Sequence, residues 1–483
     1  MNNLSDISNK SRQFNAKYII ISIITLLIFF IISVVSETNT LFFLVMFLFV
    51  MLMVFNIKNY KKNIVLIMFL ICYFMFLLGS YFLYEFFGYS NGVVLFDTTT
   101  HNHIYLSLLI SLIGISVGYY TSSVNINGIR VKSKIYNDEL FRKASLILYY
   151  TSYIPYIIIE ILRVIKVREV GYTELYIDEA VRIPYLITLF AYGCRIYFFV
   201  YLSTLPKKKE ANFPILLFLI YSFITLMTGN RSIFVVNVSL IFIYFILRSS
   251  DNSGKNEWIS KRKIITLMII VPFFIIGLDI VGSIRFNNTI FETNRSSSFI
   301  DIFVKQGVSS SVIGYGKLYE HKIPRKIYSF GSTIEALKYN PISNILFNFN
   351  SFGGNSIQKA INGNSFAHII SYLVLPYGYV RGRGLGTCYI AEAYNDFGYF
   401  GVLIFSYVYG IVIKKCSSFT SKTILGRSIT LMLIGSLLMI PRSNADSIIS
   451  LFLKSEVLVA IVLINFVVIV YNNIRKRRKI IKI

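Results

Sequence analysis

Long runs of apolar residues, separated by short polar connections, dominate the pattern of this chain. Most runs have about 16 to 22 residues, close to the ~20 that an α-helix needs to cross the apolar core of a bilayer. The runs lie near residues 18–36, 41–56, 63–84, 104–121, 144–162, 183–205, 213–228, 233–248, 264–283, 398–413, 428–441 and 457–471. They predict an all-α polytopic membrane protein with about 12 transmembrane helices.

Lysine and arginine concentrate in every second connection between these runs. The basic connections contain Lys10, Arg12 and Lys17; Lys58, Lys61 and Lys62; Arg130, Lys132, Lys134, Arg142 and Lys143; Lys207, Lys208 and Lys209; Lys255, Lys261, Arg262 and Lys263; Lys414, Lys415, Lys422 and Arg427; and the tail from Arg475 to Lys479. Cytoplasmic connections of membrane proteins carry an excess of these residues. The alternation therefore predicts that both termini are cytoplasmic.

One connection on the opposite side is much longer than the others. It covers about residues 284–397, between the ninth and tenth predicted spans, and is polar and rich in glycine. Its apolar pieces, such as Ile369 to Leu375, are too short to span a membrane. We therefore expect a single membrane domain over residues 1–483, with residues 284–397 forming a large extracytoplasmic loop within it.

Composition supports a membrane protein and narrows the chemistry. Hydrophobic residues make up 55% of the chain and charged residues 15%, against about 25% charged in soluble proteins. The formal net charge of +25 would suggest nucleic-acid binding in a soluble protein, but here the cations lie between apolar spans. Motifs for nucleotide hydrolysis, zinc proteases and serine hydrolases are absent from the sequence. We expect no nucleic acid, no metal and no cofactor.

The large loop carries more cations than the positive-inside pattern requires. Arginine binds phosphate oxygens in a bidentate manner and stays charged, so an Arg-rich outer surface suits a lipid-linked phosphate or pyrophosphate. The arginines at span boundaries or beside loop glycines are the strongest candidates: Arg231, Arg285, Arg381, Arg383 and Arg442. Two further charges, Arg195 and Asp279, fall inside predicted spans, where each needs a partner or a water-filled cavity.

The densest local pattern runs from Val380 to Gly401 and combines glycines with an Arg pair. From Thr387 onward it becomes helical, and Tyr389, Glu392 and Asp396 lie on one face of a helix that enters the tenth span. That face would place a carboxylate beside the basic loop. The same spacing also occurs where acidic residues only mark the edge of a membrane.

This segment resembles the Wzy-type O-antigen polysaccharide polymerases, through Gly384-Leu385-Gly386-Thr387-Cys388-Tyr389-Ile390-Ala391-Glu392 and Asp396-Phe397-Gly398-Tyr399-Phe400-Gly401. The layout is similar too, with many spans, a large outer loop before a late span, and a Gly-x-Arg-Ser turn at residues 229–232. The resemblance implies a glycosyltransferase that moves a growing glycan from undecaprenyl pyrophosphate onto a new lipid-linked oligosaccharide repeat unit. The reaction would occur outside the bacterial cytoplasmic membrane, in lipopolysaccharide or capsule biosynthesis.

The resemblance also suggests roles for the candidate residues. The five arginines, with Tyr389, would bind the pyrophosphate and stabilise its charge as the glycosidic bond breaks. Glu392 or Asp396 would accept the proton of the attacking sugar hydroxyl. O-antigen ligases have a His just before this span, where the chain has Thr387, so His321 and His368 of the loop are further catalytic candidates.

Two other functions fit the same layout. A ligase-like glycosyltransferase would use the same donor with a different acceptor, and a lipid-linked oligosaccharide flippase would share the spans and a basic cavity. Transporters tend to have repeated halves with binding sites at the midplane of the bilayer, and no repeat is visible in this sequence. Membrane lipids, a flippase and a chain-length regulator are the partners that the family resemblance implies.

Overall fold

The computed structural model describes residues 39–122, 135–170, 183–251, 258–260, 304, 306–339, 343, 352–420 and 422–480. The regular structure in these ranges is helical, and they contain no β-strand. The predicted spans at 18–36 and 264–283 lie outside the described residues, and so do Asp279 and Arg285.

The helices follow one another with short connections. In chain order they are α1 (Thr40–Ile57), α2 (Tyr60–Phe87, with a π-helical turn at Phe74–Leu78), α3 (Thr98–Thr121), α4 (Ile135–Val170), α5 (Tyr185–Tyr192), α6 (Cys194–Ser203), α7 (Lys208–Met227), α8 (Arg231–Asp251), α9 (Val308–Leu318), α10 (Gly331–Lys338), α11 (Ile357–Asn362), α12 (Phe366–Val374), α13 (Pro376–Val380), α14 (Tyr389–Ser417), α15 (Ile424–Leu437), α16 (Ser447–Leu453) and α17 (Ser455–Ile480).

Nine stretches within the described residues are long and apolar enough to cross a membrane. Each corresponds to a span that the hydropathy pattern predicts, and one of them, Tyr185–Ser203, combines α5 and α6. The predicted span at 428–441 is the shorter helix α15, which is followed by a 3₁₀ turn at Ile440–Arg442. The protein is therefore an all-α multi-pass membrane protein, and the total of about 12 spans remains a prediction.

Contacts between helix ends agree with the alternating helix directions. At one end of the bundle the Asn39 amide donates to Asn102 Oδ1 (2.7 Å), and the Tyr185 hydroxyl donates to Ser455 Oγ (3.0 Å). These contacts join the starts of α1 and α3 and the starts of α5 and α17. At the other end Arg142 forms an ion pair with Glu210 (3.2 Å), near the starts of α4 and α7. We call the first of these the loop end of the bundle and the second the basic end.

The crossing of α3 and α14 is the most extensive helix contact in the described part of the chain. Glycines allow it, because a Cβ atom on Gly118 would lie 2.0 Å from the Tyr407 carbonyl oxygen, and one on Gly410 would lie 2.2 Å from that of Ile115. Gly114 and Gly118 form the small-xxx-small spacing that brings membrane helices into backbone contact. Larger side chains at these glycines would force the two helices apart.

Parts of the large loop pack into the bundle. Helix α9 contacts α3, α14 and the π-helical turn of α2, and Ser309, Ser310 and Ser311 on it are buried. The Ser310 hydroxyl donates to the Gly307 carbonyl oxygen (2.6 Å), which satisfies it locally. The segment is therefore part of the helical core, although its polar sequence suggests an exposed loop.

Helix α14 contains a sharp break at Gly398. Its backbone has φ 63° and ψ −156°, a conformation that is essentially restricted to glycine. The predicted tenth span begins at this residue, and the preceding segment carries Tyr389, Glu392 and Asp396. The glycine therefore separates the turns that hold the predicted carboxylates from the part of α14 that continues toward the basic end.

Candidate functional site

Glu392 is completely buried and uses both carboxylate oxygens inside the protein. Its Oε1 accepts from the Thr387 hydroxyl (2.8 Å), and its Oε2 accepts from the backbone N–H of Ala445 (2.7 Å). These bonds join the start of α14 to the turn that follows the 3₁₀ segment. The structure therefore gives Glu392 an anchoring position, away from any open space.

Like Glu392, Asp396 and Asp446 accept hydrogen bonds from backbone N–H groups of other segments. Asp396 Oδ2 accepts from the backbone N–H groups of Tyr328 (2.8 Å) and Ser329 (2.6 Å), just before α10. Asp446 Oδ2 accepts from the N–H of Thr333 in the first turn of α10 (2.5 Å), and burial raises the pKa of this carboxyl. Together with Glu392 these residues form the carboxylate anchors, which fasten α10 and the 3₁₀ turn to the bundle.

Tyr389 lies inside the crossing of α3 and α14. It is fully buried, and its hydroxyl is within hydrogen-bond distance of Ser111 Oγ (2.5 Å) and Ser406 Oγ (3.1 Å). The structure therefore separates Tyr389 from the loop arginines with which the sequence pattern groups it.

The structure describes four of the five arginines that the sequence predicts as site residues, and these four lie in three places. Arg442 donates to Gln306 Oε1 (2.6 Å), and its guanidinium lies 5.7 Å from the centre of the Phe76 ring. Arg231 is the first residue of α8. Arg381 and Arg383 are exposed on the turn after α13, where the Arg383 N–H donates to the Gly378 carbonyl oxygen (2.9 Å).

The two candidate histidines lie apart from the carboxylate anchors. His321 is exposed in the 3₁₀ turn Glu320–Lys322. His368 on α12 has its Nδ1 atom 3.0 Å from the Tyr379 hydroxyl, and burial, reinforced by Lys359, lowers its pKa to about 4. Tyr379 is the last but one residue of α13, so His368 belongs to the same part of the loop as Arg381 and Arg383.

A cavity of about 490 Å³ lies at the loop end, between helices that the sequence does not place together. Its walls come from α5, α6, α8, α10, α15, α16 and the start of α17. Its polar lining includes Ser232, Ser332, Ser436, Ser443, Asn444 and Ser447. Its apolar lining includes Ile196, Phe199, Ile233, Val236, Met432 and Met439. Such a mixture of hydroxyls and apolar surface suits an amphipathic ligand.

Arg195 is the charged side chain of α6 that lines this cavity. It makes no hydrogen bond or ion pair with the described residues, and its Nε atom is buried without a partner. Its guanidinium carbon lies 5.4 Å from the centre of the Phe199 ring. Because a cation placed within a membrane protein is costly without a counterion, Arg195 is the strongest described position for an anionic ligand.

None of the predicted catalytic or pyrophosphate-binding residues that the structure describes lines this cavity, although Arg231 and Arg442 directly precede two lining residues, Ser232 and Ser443. The position of Arg195 within a span was the sequence signal for this site. Lys454 and Glu456, which also line the cavity, had no such signal because they lie at the boundary of an ordinary apolar run. Among the described residues no group of three or more His, Cys, Asp or Glu is placed to hold a metal ion.

Comparison with known proteins identifies the family. The model of the O-antigen polysaccharide polymerase Wzy family matches residues 18–474, which is nearly the whole chain. No curated protein and no solved structure gave a match. The sequence resemblance around α14 is thus confirmed over the full layout, and the chain belongs to the Wzy family of O-antigen polysaccharide polymerases.

Proposed function

We propose that this protein polymerises a lipid-linked oligosaccharide in the cavity at the loop end. The growing glycan is transferred from undecaprenyl pyrophosphate onto the terminal sugar of a new lipid-linked repeat unit, on the outer side of the bacterial cytoplasmic membrane. The observation that carries this proposal is the guanidinium of Arg195, which has no hydrogen-bond or ion-pair partner among the described residues and lies in a cavity lined with hydroxyl groups.

The residues that line this cavity suit the pyrophosphate, the sugars and the prenyl chain of such a donor. A pyrophosphate supplies the anion that Arg195 lacks, and guanidinium groups bind phosphate oxygens bidentately. The lining serines and Asn444 are suitable hydrogen-bond partners for sugar hydroxyls. The apolar lining residues, which include Ile196 and Met439, are suitable for the first part of a prenyl chain. Charge accumulates on the pyrophosphate as the glycosidic bond breaks, so a preplaced Arg stabilises the transition state more than the bound substrate.

The arginines predicted from sequence take supporting roles in this proposal. Arg231 and Arg442 directly precede Ser232 and Ser443 of the cavity lining, and in this proposal they add positive potential near the cavity. Arg381 and Arg383 are exposed on the loop and would attract lipid-linked substrates to the membrane surface. Arg285, Glu392, Asp396, His321, His368 and Tyr389 remain candidates from sequence alone.

The decisive experiment deletes the gene and examines the surface glycan on a gel. A polymerase leaves a single repeat unit where the parent strain has a ladder, and a plasmid copy restores the ladder. Loss of all surface glycan with accumulation of lipid-linked polymer would indicate a ligase instead. Lipid-linked single units that remain on the cytoplasmic side would indicate a flippase, and either result would overturn the proposal.

A further inference from the structure

Glu456 is a carboxylate in the Arg195 cavity that has no partner among the residues that the structure describes. It lies in the first turn of α17, is half-buried, and makes no hydrogen bond or ion pair with the described residues. The carboxylate anchors differ from it, because Glu392, Asp396 and Asp446 each accept backbone N–H groups of other segments. Within the described part of the chain, Glu456 therefore keeps oxygen lone pairs that a ligand in the cavity can use.

Arg195 and Glu456 line the same cavity but do not form an ion pair. Opposite charges attract each other, and more strongly where solvent is partly excluded. Helices α6 and α17 hold them more than 4 Å apart, since no ion pair within that distance joins them in the described residues. The cavity thus offers separate positions for an anion and for a group that gives up a proton.

We infer that Glu456 is the general base of the glycosyl transfer, an inference that rests on the proposed function. The acceptor hydroxyl oxygen attacks the anomeric carbon of the donor, and the bond from that carbon to the phosphate oxygen breaks. The electron pair of the broken bond leaves on the undecaprenyl pyrophosphate, whose charge Arg195 offsets. The proton of the acceptor hydroxyl passes to the Glu456 carboxylate.

The other charged lining residue does not suit this role. Lys454 is an exposed cation, and a protonated amine cannot accept the proton. Tyr192 also lines the cavity, and its hydroxyl is buried without a hydrogen-bond partner among the described residues. As a neutral phenol it is better suited to orient a sugar than to take a proton from one.

The test measures polymer formation by the purified full-length protein supplied with lipid-linked repeat units. General bases contribute about 100- to 10,000-fold, so Glu456→Gln should lower the rate at least about 100-fold. Binding of undecaprenyl pyrophosphate is measured by its competition with a labelled prenyl analogue. Its dissociation constant should stay within about threefold of the wild-type value, since the Arg195 site is intact. Glu456→Ala should regain activity when sodium formate supplies an external carboxylate.

Glu320→Ala is the matched control, because Glu320 is an exposed loop carboxylate that pairs with Lys317 and does not line the cavity. It should keep the wild-type rate and show no response to formate. Near-normal polymerisation by Glu456→Gln, or loss of both binding and rate without formate rescue, would overturn the role of Glu456. If the wild-type protein itself makes no polymer from these substrates, the proposed function fails instead.

Discussion

Arg195 and Gly435 face each other at the wall of the cavity: Arg195 Nη2 lies 3.1 Å from the position that a Cβ atom would take on Gly435. Any residue larger than glycine at position 435 of α15 would therefore reduce the space that the Arg195 guanidinium occupies. Neither helix defines the site alone. The position of the cation depends on the absence of a side chain about 240 residues further along the chain.

Two replacements of Arg195 should separate the effect of its positive charge from the effect of its planar guanidinium group. We expect Arg195→Ala to lower polymerisation about 100- to 1,000-fold, the loss seen when one preplaced charge-stabilising donor is removed. Arg195→Lys keeps the charge without the planar fork and should retain an intermediate rate. Ladder formation in the deletion strain provides the measurement, normalised to protein abundance. Arg325→Ala is the control, because Arg325 is an exposed loop arginine. An unchanged ladder in Arg195→Ala would remove Arg195 from the site.

Gly435→Ala should disturb the site without removing any functional group. The added methyl group would lie 3.1 Å from Arg195 Nη2, so the guanidinium has to shift by a few tenths of an ångström. Displacements of about 1 Å can cost up to 100-fold in rate, so this smaller shift should cost less. We expect a partial loss of long chains at normal protein abundance. Gly316→Ala introduces a methyl group at ordinary contact distance from Phe366 and should have little effect. Equal ladders from the two variants would contradict the proposed position of the cation.

Gly398→Ala should destabilise the protein through the backbone. A residue with a Cβ atom is strained at φ 63° and ψ −156°, at a cost of about 1–3 kcal/mol. The expected result is a lower midpoint of thermal unfolding for the purified protein in detergent. Gly353→Ala is a suitable control, because that glycine has open space around it and no positive φ. An unchanged midpoint in Gly398→Ala would mean that α14 is not broken at this residue.

His368 should contribute a pH dependence to stability. Its pKa falls from the usual 6.5 to about 4, so the folded protein keeps the ring neutral while the unfolded chain takes up a proton below pH 6.5. The stabilisation is complete above that pH and decreases as the pH falls from 6.5 towards 4. His368→Gln should flatten this part of the profile of unfolding midpoint against pH. His321→Gln, at an exposed position, should leave the profile unchanged, and identical profiles for wild type and His368→Gln would refute the assignment.

Much of the fold follows from hydropathy and charge alone. Apolar runs long enough to span a bilayer predict the nine long helical stretches in the described residues, because that length is set by the membrane and not by the tertiary contacts. The basic connections predict the helix directions in the same way. The family was also recognisable from a short segment, around Glu392 and Gly398, where glycine is required by the backbone.

The site depended on contacts that no local pattern contains. Glu392, Asp396 and Glu456 are all acidic residues near the start of a late helix, so the sequence alone does not separate anchors from a free carboxylate. Glu392 accepts from a backbone group 53 residues away and Asp396 from one 68 residues away, whereas Glu456 faces a cavity. Hydropathy determined which segments cross the membrane, but only the packing of distant helices decided which charges are neutralised and which remain available for a substrate.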